Sequence, residues 1–224
     1  MKPALAWFLF ISLALIWGSS FILMKRGLQS FDYVQIAFIR ISTAWLFSVL
    51  IAFRRFKRFQ RKDLIALLAV GYFGNGIPYV LFPLAVTKLD SSLVGILNSL
   101  VPLFTLVLGL IWFGVKVRWI GAMGIVLGFA GALWLLLPGL DVNPAKLSYG
   151  IYPILATICY AISINFINLK LRDLDSLSIT LLSTSTIGPP ALMYLMGTDF
   201  IEVMQTDPEA WKNLGYISLL GIVG

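Results

Sequence analysis

Residues 13–27 read LALIWGSSFILMKRG. A run apolar enough to sit in lipid carries Trp17-Gly18-Ser19-Ser20 inside it and then ends on Lys25 and Arg26. Backbone in hydrocarbon must satisfy its own polar groups, so two hydroxyls and a helix-weakening glycine mark either close helix packing or a wet cavity. Composition decides the solvent. Hydrophobic residues make up 59% of the 224 positions and charged residues 12%, with a mean hydropathy of +0.93. Ordinary soluble domains are roughly half apolar and about one quarter charged. One aqueous core would not hide this surplus, so the solvent is lipid. Histidine is absent, which removes the commonest metal ligand and near-neutral acid–base group. The single cysteine, Cys159, excludes an internal disulfide framework and reads as a small packing residue.

Working outward, apolar runs of about 20 residues, each long enough to cross the hydrocarbon layer, succeed one another. They are Ala4–Met24, Val34–Phe53, Leu64–Val86, Ser92–Phe113, Trp119–Leu137, Ser148–Leu169 and Ser176–Thr198, with an eighth beginning near Leu214. The first is too long for a signal-peptide core and lacks an Ala-x-Ala cleavage site. The expected fold class is therefore all-α, a polytopic membrane helix bundle of seven full spans and the start of an eighth.

Lys and Arg set the orientation. The connection RRFKRFQRK, Arg54 to Lys62, holds six of them. With that loop in the cytoplasm, eleven positive residues fall inside and five outside: Lys25, Arg26, Lys88, Lys146 and Lys212. The N-terminus is then cytoplasmic. Beside two membrane helices the basic loop reads as a topology anchor touching anionic headgroups, not as a nucleic-acid patch. The lipid bilayer and a small-molecule substrate are the expected partners, with no nucleic acid and no cofactor.

A weak internal repeat accompanies this alternation. A shift of 143 residues lays Trp17 on Tyr160, Ser20 on Ser163, Asp32 on Asp175, Ile36 on Ile179 and Ser42-Thr43 on Ser185-Thr186. A slightly larger shift lays Lys62 on Lys212, Gly71 on Gly221 and Gly74 on Gly224. If the unit is five helices, the second copy starts on the opposite side of the membrane. That is an inverted-topology repeat, an architecture of secondary transporters. The expected division is a first five-helix unit at 1–138 and an incomplete second unit at 139–224, so the chain reads as a piece of a longer 5+5 protein.

Residues that interrupt the apolar pattern supply the candidate site. In the fourth span Gly95, Asn98, Pro102, Thr105 and Gly109 share one face. They line either a close interface or a cavity, with Pro102 freeing the carbonyl of Asn98. In the fifth, Gly121, Gly124, Gly128 and Gly131 share a face without polar side chains and read as packing. The third span contains VGYFGNGIPYVLFPLA, residues 70–85, whose glycines and prolines should deform the helix around Asn75 and Tyr79. Arg40 is an intramembrane charge whose insertion costs of order 2.5–3.5 kcal/mol near a helix centre. It either snorkels or faces the interior to attract carboxylates or phosphates. In the sixth span Tyr160 and Asn165 stand out, whereas the Ser183–Thr186 run can bond its own helix. Trp17 and Ser20 would line a pocket deep in the bundle, with Gly18 admitting a neighbour. The candidate binding residues are Trp17, Ser20, Arg40, Asn75, Tyr79, Asn98, Tyr160 and Asn165.

IWGSSFILMKRG, FIRISTAWLF and the stretch from Leu89 to Leu136 together resemble the EamA-type branch of the drug/metabolite transporter superfamily. The resemblance implies ten helices in two inverted five-helix repeats, both termini cytoplasmic, and a central cavity. It also implies outward movement of small metabolites, often amino acids and related compounds, across a plasma membrane such as the bacterial inner membrane. The loop after the fourth helix commonly carries an acidic residue in this family; here it reads GVKVRW, residues 114–119. The expectation is a secondary carrier and not an enzyme. The alternative, a membrane-embedded lipid-modifying enzyme, lacks a histidine or deep carboxylate to do its chemistry.

Overall fold

The computed structural model describes residues 3–112, 114, 119–136 and 148–223. Among them there are helices and no strands. In chain order the α-helices are α1 (Pro3–Gly27), α2 (Tyr33–Ala52), α3 (Leu64–Gly71), α4 (Ile77–Val86), α5 (Ser91–Asn98), α6 (Val101–Ile111) and α7 (Trp119–Leu136). They continue with α8 (Ile151–Lys170), α9 (Ser176–Met196), α10 (Phe200–Thr206) and α11 (Ala210–Val223). Among the described residues five stretches are long and apolar enough to cross a membrane: Leu5–Gly27, Tyr33–Arg58, Arg61–Val86, Ser91–Ile111 and Ser148–Lys170. Trp119–Gly131 is a shorter apolar helix. The expected seventh span is the 21-residue helix α9, whose serines, threonines and paired prolines dilute its hydropathy. The acidic connection after it is partly helical, as α10, and α11 begins four residues before the expected Leu214. Lys2, Phe113, Lys116, Arg118, Leu137, Lys146, Gly224 and the divide at 138/139 lie outside the described residues.

Two expected spans are interrupted where the sequence places proline. Between α3 and α4 lies a π-helical turn, Tyr72–Gly76, closed by the Ile77 N–H donating to the Tyr72 carbonyl. Pro78 has no N–H to offer Gly74, and the glycines tolerate the widened turn. The fourth span breaks at Ser99-Leu100, where the Ser99 and Leu100 N–H groups donate to Ile96 and Leu97 at 2.9 and 3.1 Å. Pro102 cannot donate to Asn98, so the helix ends at that residue and restarts as α6.

Helices α2 and α9 run antiparallel and carry the most closely packed interface. Gly188 lets the Trp45 ring press on the α9 backbone, the Phe38 and Tyr194 rings meet at 4.8 Å, and the Ser48 and Thr184 hydroxyls stand 3.2 Å apart. The ends are tied by polar contacts. Gln35 Nε2 donates to Asp199 Oδ1 at 2.6 Å at one end. At the other, Arg55 pairs with Asp175, and Arg58 joins it at 3.3 Å.

The residues matched by the internal repeat occupy matching places. Asp32 and Asp175 each sit at the N-cap of the second helix of a hairpin, with extended backbone at φ −71° and −76°. Gly71 of α3 lies against α9, where a Cβ would collide with Thr186 Oγ1 and stand 2.7 Å from the Ser183 carbonyl oxygen. Gly221 of α11 lies against α2, where a Cβ would collide with Thr43 Oγ1 and stand 2.5 Å from the Arg40 carbonyl oxygen. The 143-residue shift carries Arg40 onto Ser183 and Thr43 onto Thr186.

The glycine face of α7 differs from expectation. A Cβ on Gly121, Gly124, Gly128 or Gly131 would meet no atom of the described residues within 4 Å. Among the described residues the face lies open instead of packed, and the main contacts of α7 are with α5 and α6. Gly18 likewise has open space beside it.

Candidate functional site

A cavity of about 530 Å³ lies among α1, α2, the α3–α4 segment, α5, α8 and α9, with the tip of α11 at its side. Seven of the eight sequence-derived residues border it: Trp17, Ser20, Arg40, Asn75, Tyr79, Asn98 and Tyr160. It reaches Ile51 and Ala52 at the end of α2 and Leu177 in the first turn of α9, the end of the bundle that carries the basic connection. Toward the other end it is closed by a packed cluster that includes Phe21, Met24, Phe31, Ile36, Phe82 and Ile217.

Each polar member is placed by a local feature of its helix. Asn75 falls within the π-turn, so its side chain is set on a backbone already widened by glycine and proline. Asn98 is the last residue of α5, and its buried Oδ1 has no hydrogen-bond donor among the described residues. Ser20 donates to its own helix at the Ile16 carbonyl, 2.8 Å away, as Ser19 does at 3.0 Å. The hydroxyl is thus satisfied by its own backbone and presents lone pairs to the cavity. The aromatic side is continuous: Phe82 stacks on Tyr160 with centroids 5.7 Å apart and meets Phe21 edge-on at 5.5 Å. Trp17, 51% exposed, stands at the margin.

Arg40 does not snorkel. It is 5% exposed. Its guanidinium lies over the Tyr79 ring, 3.7 Å from the centroid, and Nη1 donates to the Met24 sulfur at 3.7 Å. Its Nε is buried without an acceptor. Among the described residues no carboxylate lies within ion-pair distance of it, and no other lining side chain is charged.

Asn165 stands apart from the other seven. It is 4% exposed and donates to the Thr105 carbonyl of α6 at 3.1 Å and to its own Ala161 carbonyl at 2.9 Å. The amide clasps α8 to α6, because it projects from α8 away from the face that carries Tyr160 and Ser163. Ser163, Ser183 and Thr184, which sequence reasoning weighed without choosing, and Ser48, which it did not raise, also line the cavity. A signal for two of them was present. Ser163 and Ser183 are the 143-residue counterparts of Ser20 and Arg40. The same shift pairs Trp17 with Tyr160, and both border the cavity.

The sequence model of the EamA-like transporter family matches residues 4–137. A protein of Archaeoglobus fulgidus described as an uncharacterized transporter is 28% identical over 128 residues, which is 57% of this chain and 46% of that relative. The chain thus spans less than half the length of that relative.

Proposed function

The chain belongs to the EamA-like transporter family, and from that premise we propose that the protein it represents is a secondary carrier. Its cargo is a small polar metabolite, an amino acid or related compound, moved outward across a bacterial inner membrane. The N-terminus and the Arg54–Lys62 connection face the cytoplasm, by the excess of Lys and Arg on that side. The helices up to residue 138 form the first unit, and residues from 139 onward begin an inverted copy. The paired placements of Gly71 and Gly221 against Thr186 and Thr43 support that division.

One observation carries the reading. Polar residues from separate apolar helices, Asn165 excepted, border a single void. In a bundle whose solvent is lipid, such a void is where a polar solute can rest, at the interface of two oppositely oriented units. The described cavity leans toward the basic end, so it corresponds to a cytoplasm-facing arrangement. Rocking of one unit on the other along the α2–α9 contact would expose it to the far side.

Cells overproducing the full protein should accumulate at least one small polar metabolite in the medium, measured by mass spectrometry. Asn75→Ala should abolish that excess at equal membrane abundance. An unchanged external metabolite profile, with the protein present and folded in the membrane, would contradict the proposal.

A further inference from the structure

We infer that the cavity selects solutes bearing a single carboxylate, that Arg40 is the group that holds it, and that organic cations are excluded. The inference deepens the carrier reading and rests on it. Guanidinium keeps its charge at any physiological pH and offers five N–H donors along its edge. Here the face is taken by the Tyr79 ring and one donor by the Met24 sulfur. Neither contact neutralises the charge, and Nε has no acceptor at all. A buried cation left in this condition is strongly disfavoured unless a charged acceptor joins it. Among the described residues the protein supplies none, and Arg40 lines the cavity, so a solute carboxylate that displaces water there is the charged acceptor.

The charge count narrows the class. Among the described residues lining the void Arg40 alone is charged, so this lining carries one uncompensated positive charge and repels cations. One guanidinium balances one carboxylate and matches its two oxygens with a pair of parallel hydrogen bonds. A phosphate dianion would bring a second charge with no cation to meet it. The stack on Tyr79 fixes the plane of the guanidinium in advance, which reduces the ordering needed on binding. The aromatic surface of Phe82 and Tyr160 then receives the apolar body of the solute.

Benzoate, benzamide and benzamidinium share one planar shape and differ in charge, so they serve as probes for the full protein purified in detergent, with binding read by titration calorimetry. Benzoate should bind at least about tenfold more tightly than either of the others. Arg40→Gln should erase that preference. Met24→Glu should erase it as well, by giving the guanidinium an internal carboxylate at the place of the sulfur, so the test does not hang on one substitution at a buried charge. Equal binding of the three probes by the native protein, no benzoate binding, or a preference that survives in a folded Arg40→Gln variant would overturn the inference. The binding readout is independent of transport. Benzoate selectivity without flux of any solute would refute the carrier reading alone. Flux of solutes that lack a carboxylate, uninhibited by benzoate, would refute the carboxylate inference alone.

Discussion

The Arg40 guanidinium stacks on the Tyr79 ring, 3.7 Å from its centre, with both side chains nearly wholly buried. The two residues come from different helices, α2 and α4, and both line the cavity. A desolvated cation–π contact is worth about 2 kcal/mol. Tyr79→Phe retains the ring and should change thermal stability little. Tyr79→Ala removes the ring, leaves the charge facing a void, and should destabilise the detergent-solubilised protein by at least about 2 kcal/mol. Denaturant titration of the two variants checks the difference.

The glycines at the α3–α9 and α11–α2 contacts should respond alike. At Gly71 and Gly221 an added methyl meets a threonine hydroxyl and a backbone carbonyl, and backbone cannot yield cheaply. Gly71→Ala and Gly221→Ala should each cost about 1–3 kcal/mol of stability. Gly18 has open space beside it, so Gly18→Ala should be neutral or stabilising by up to about 1 kcal/mol through helix propensity. Melting curves of the three variants provide the comparison.

Asn165 and Asn75 should separate in their effects. Asn165 ties α8 to the α6 backbone. Asn165→Ala should lower stability by about 1 kcal/mol, the scale of interhelical hydrogen bonds in membranes, and leave solute affinity unchanged. Asn75→Ala should do the reverse. Parallel melting and binding measurements on both variants test this.

The Asp175 cluster gives a pH dependence with a definite sign. The Ser178 hydroxyl, then the charges of Arg55 and Arg58, hold the Asp175 carboxyl below the usual carboxylate range. A depressed carboxylate contributes stability that is fully present above its unfolded value and is lost as pH falls through the folded one. The stability gap between native protein and Asp175→Asn should therefore be constant near neutrality. It should shrink on acidification below about pH 3.9, the ordinary aspartate value. Its size is modest, because the group is partly exposed to solvent. Denaturation midpoints across that pH range measure the gap.

Much of this arrangement was legible in the sequence because lipid imposes severe rules. Gly71, Gly74, Gly76 and Pro78 in one short stretch require a deformed helix, and the π-turn at Tyr72–Gly76 is that deformation. Pro102 requires a carbonyl without a donor four residues earlier, and α5 ends at Asn98. Arg40 left two possibilities open, since hydropathy sets depth and not azimuth. Its interior position follows from Tyr79, a contact between separate helices that no local pattern contains. Asn165 misled for the same reason: an amide deep in a helix needs a partner, but the sequence does not say whether that partner is a carbonyl of α6 or a solute. The glycines of α7 show the limit from the other side, since a small-residue face states what is possible at an interface without naming a neighbour.

The central claim is that Ser20, Asn75, Asn98 and Tyr160 share one water-accessible hollow. Single cysteines at these four positions, in a Cys159→Ser background reconstituted into vesicles, can be exposed to a charged, membrane-impermeant thiol reagent, with Leu50 and Ile65, 80% and 76% exposed on the bundle's outer surface, as lipid-facing controls. Thiols react as thiolates, which form only where water reaches them. The account predicts labelling of all four cavity positions from the side bearing Arg54–Lys62, with both controls silent. Cavity cysteines as unreactive as those at Leu50 and Ile65 would contradict it.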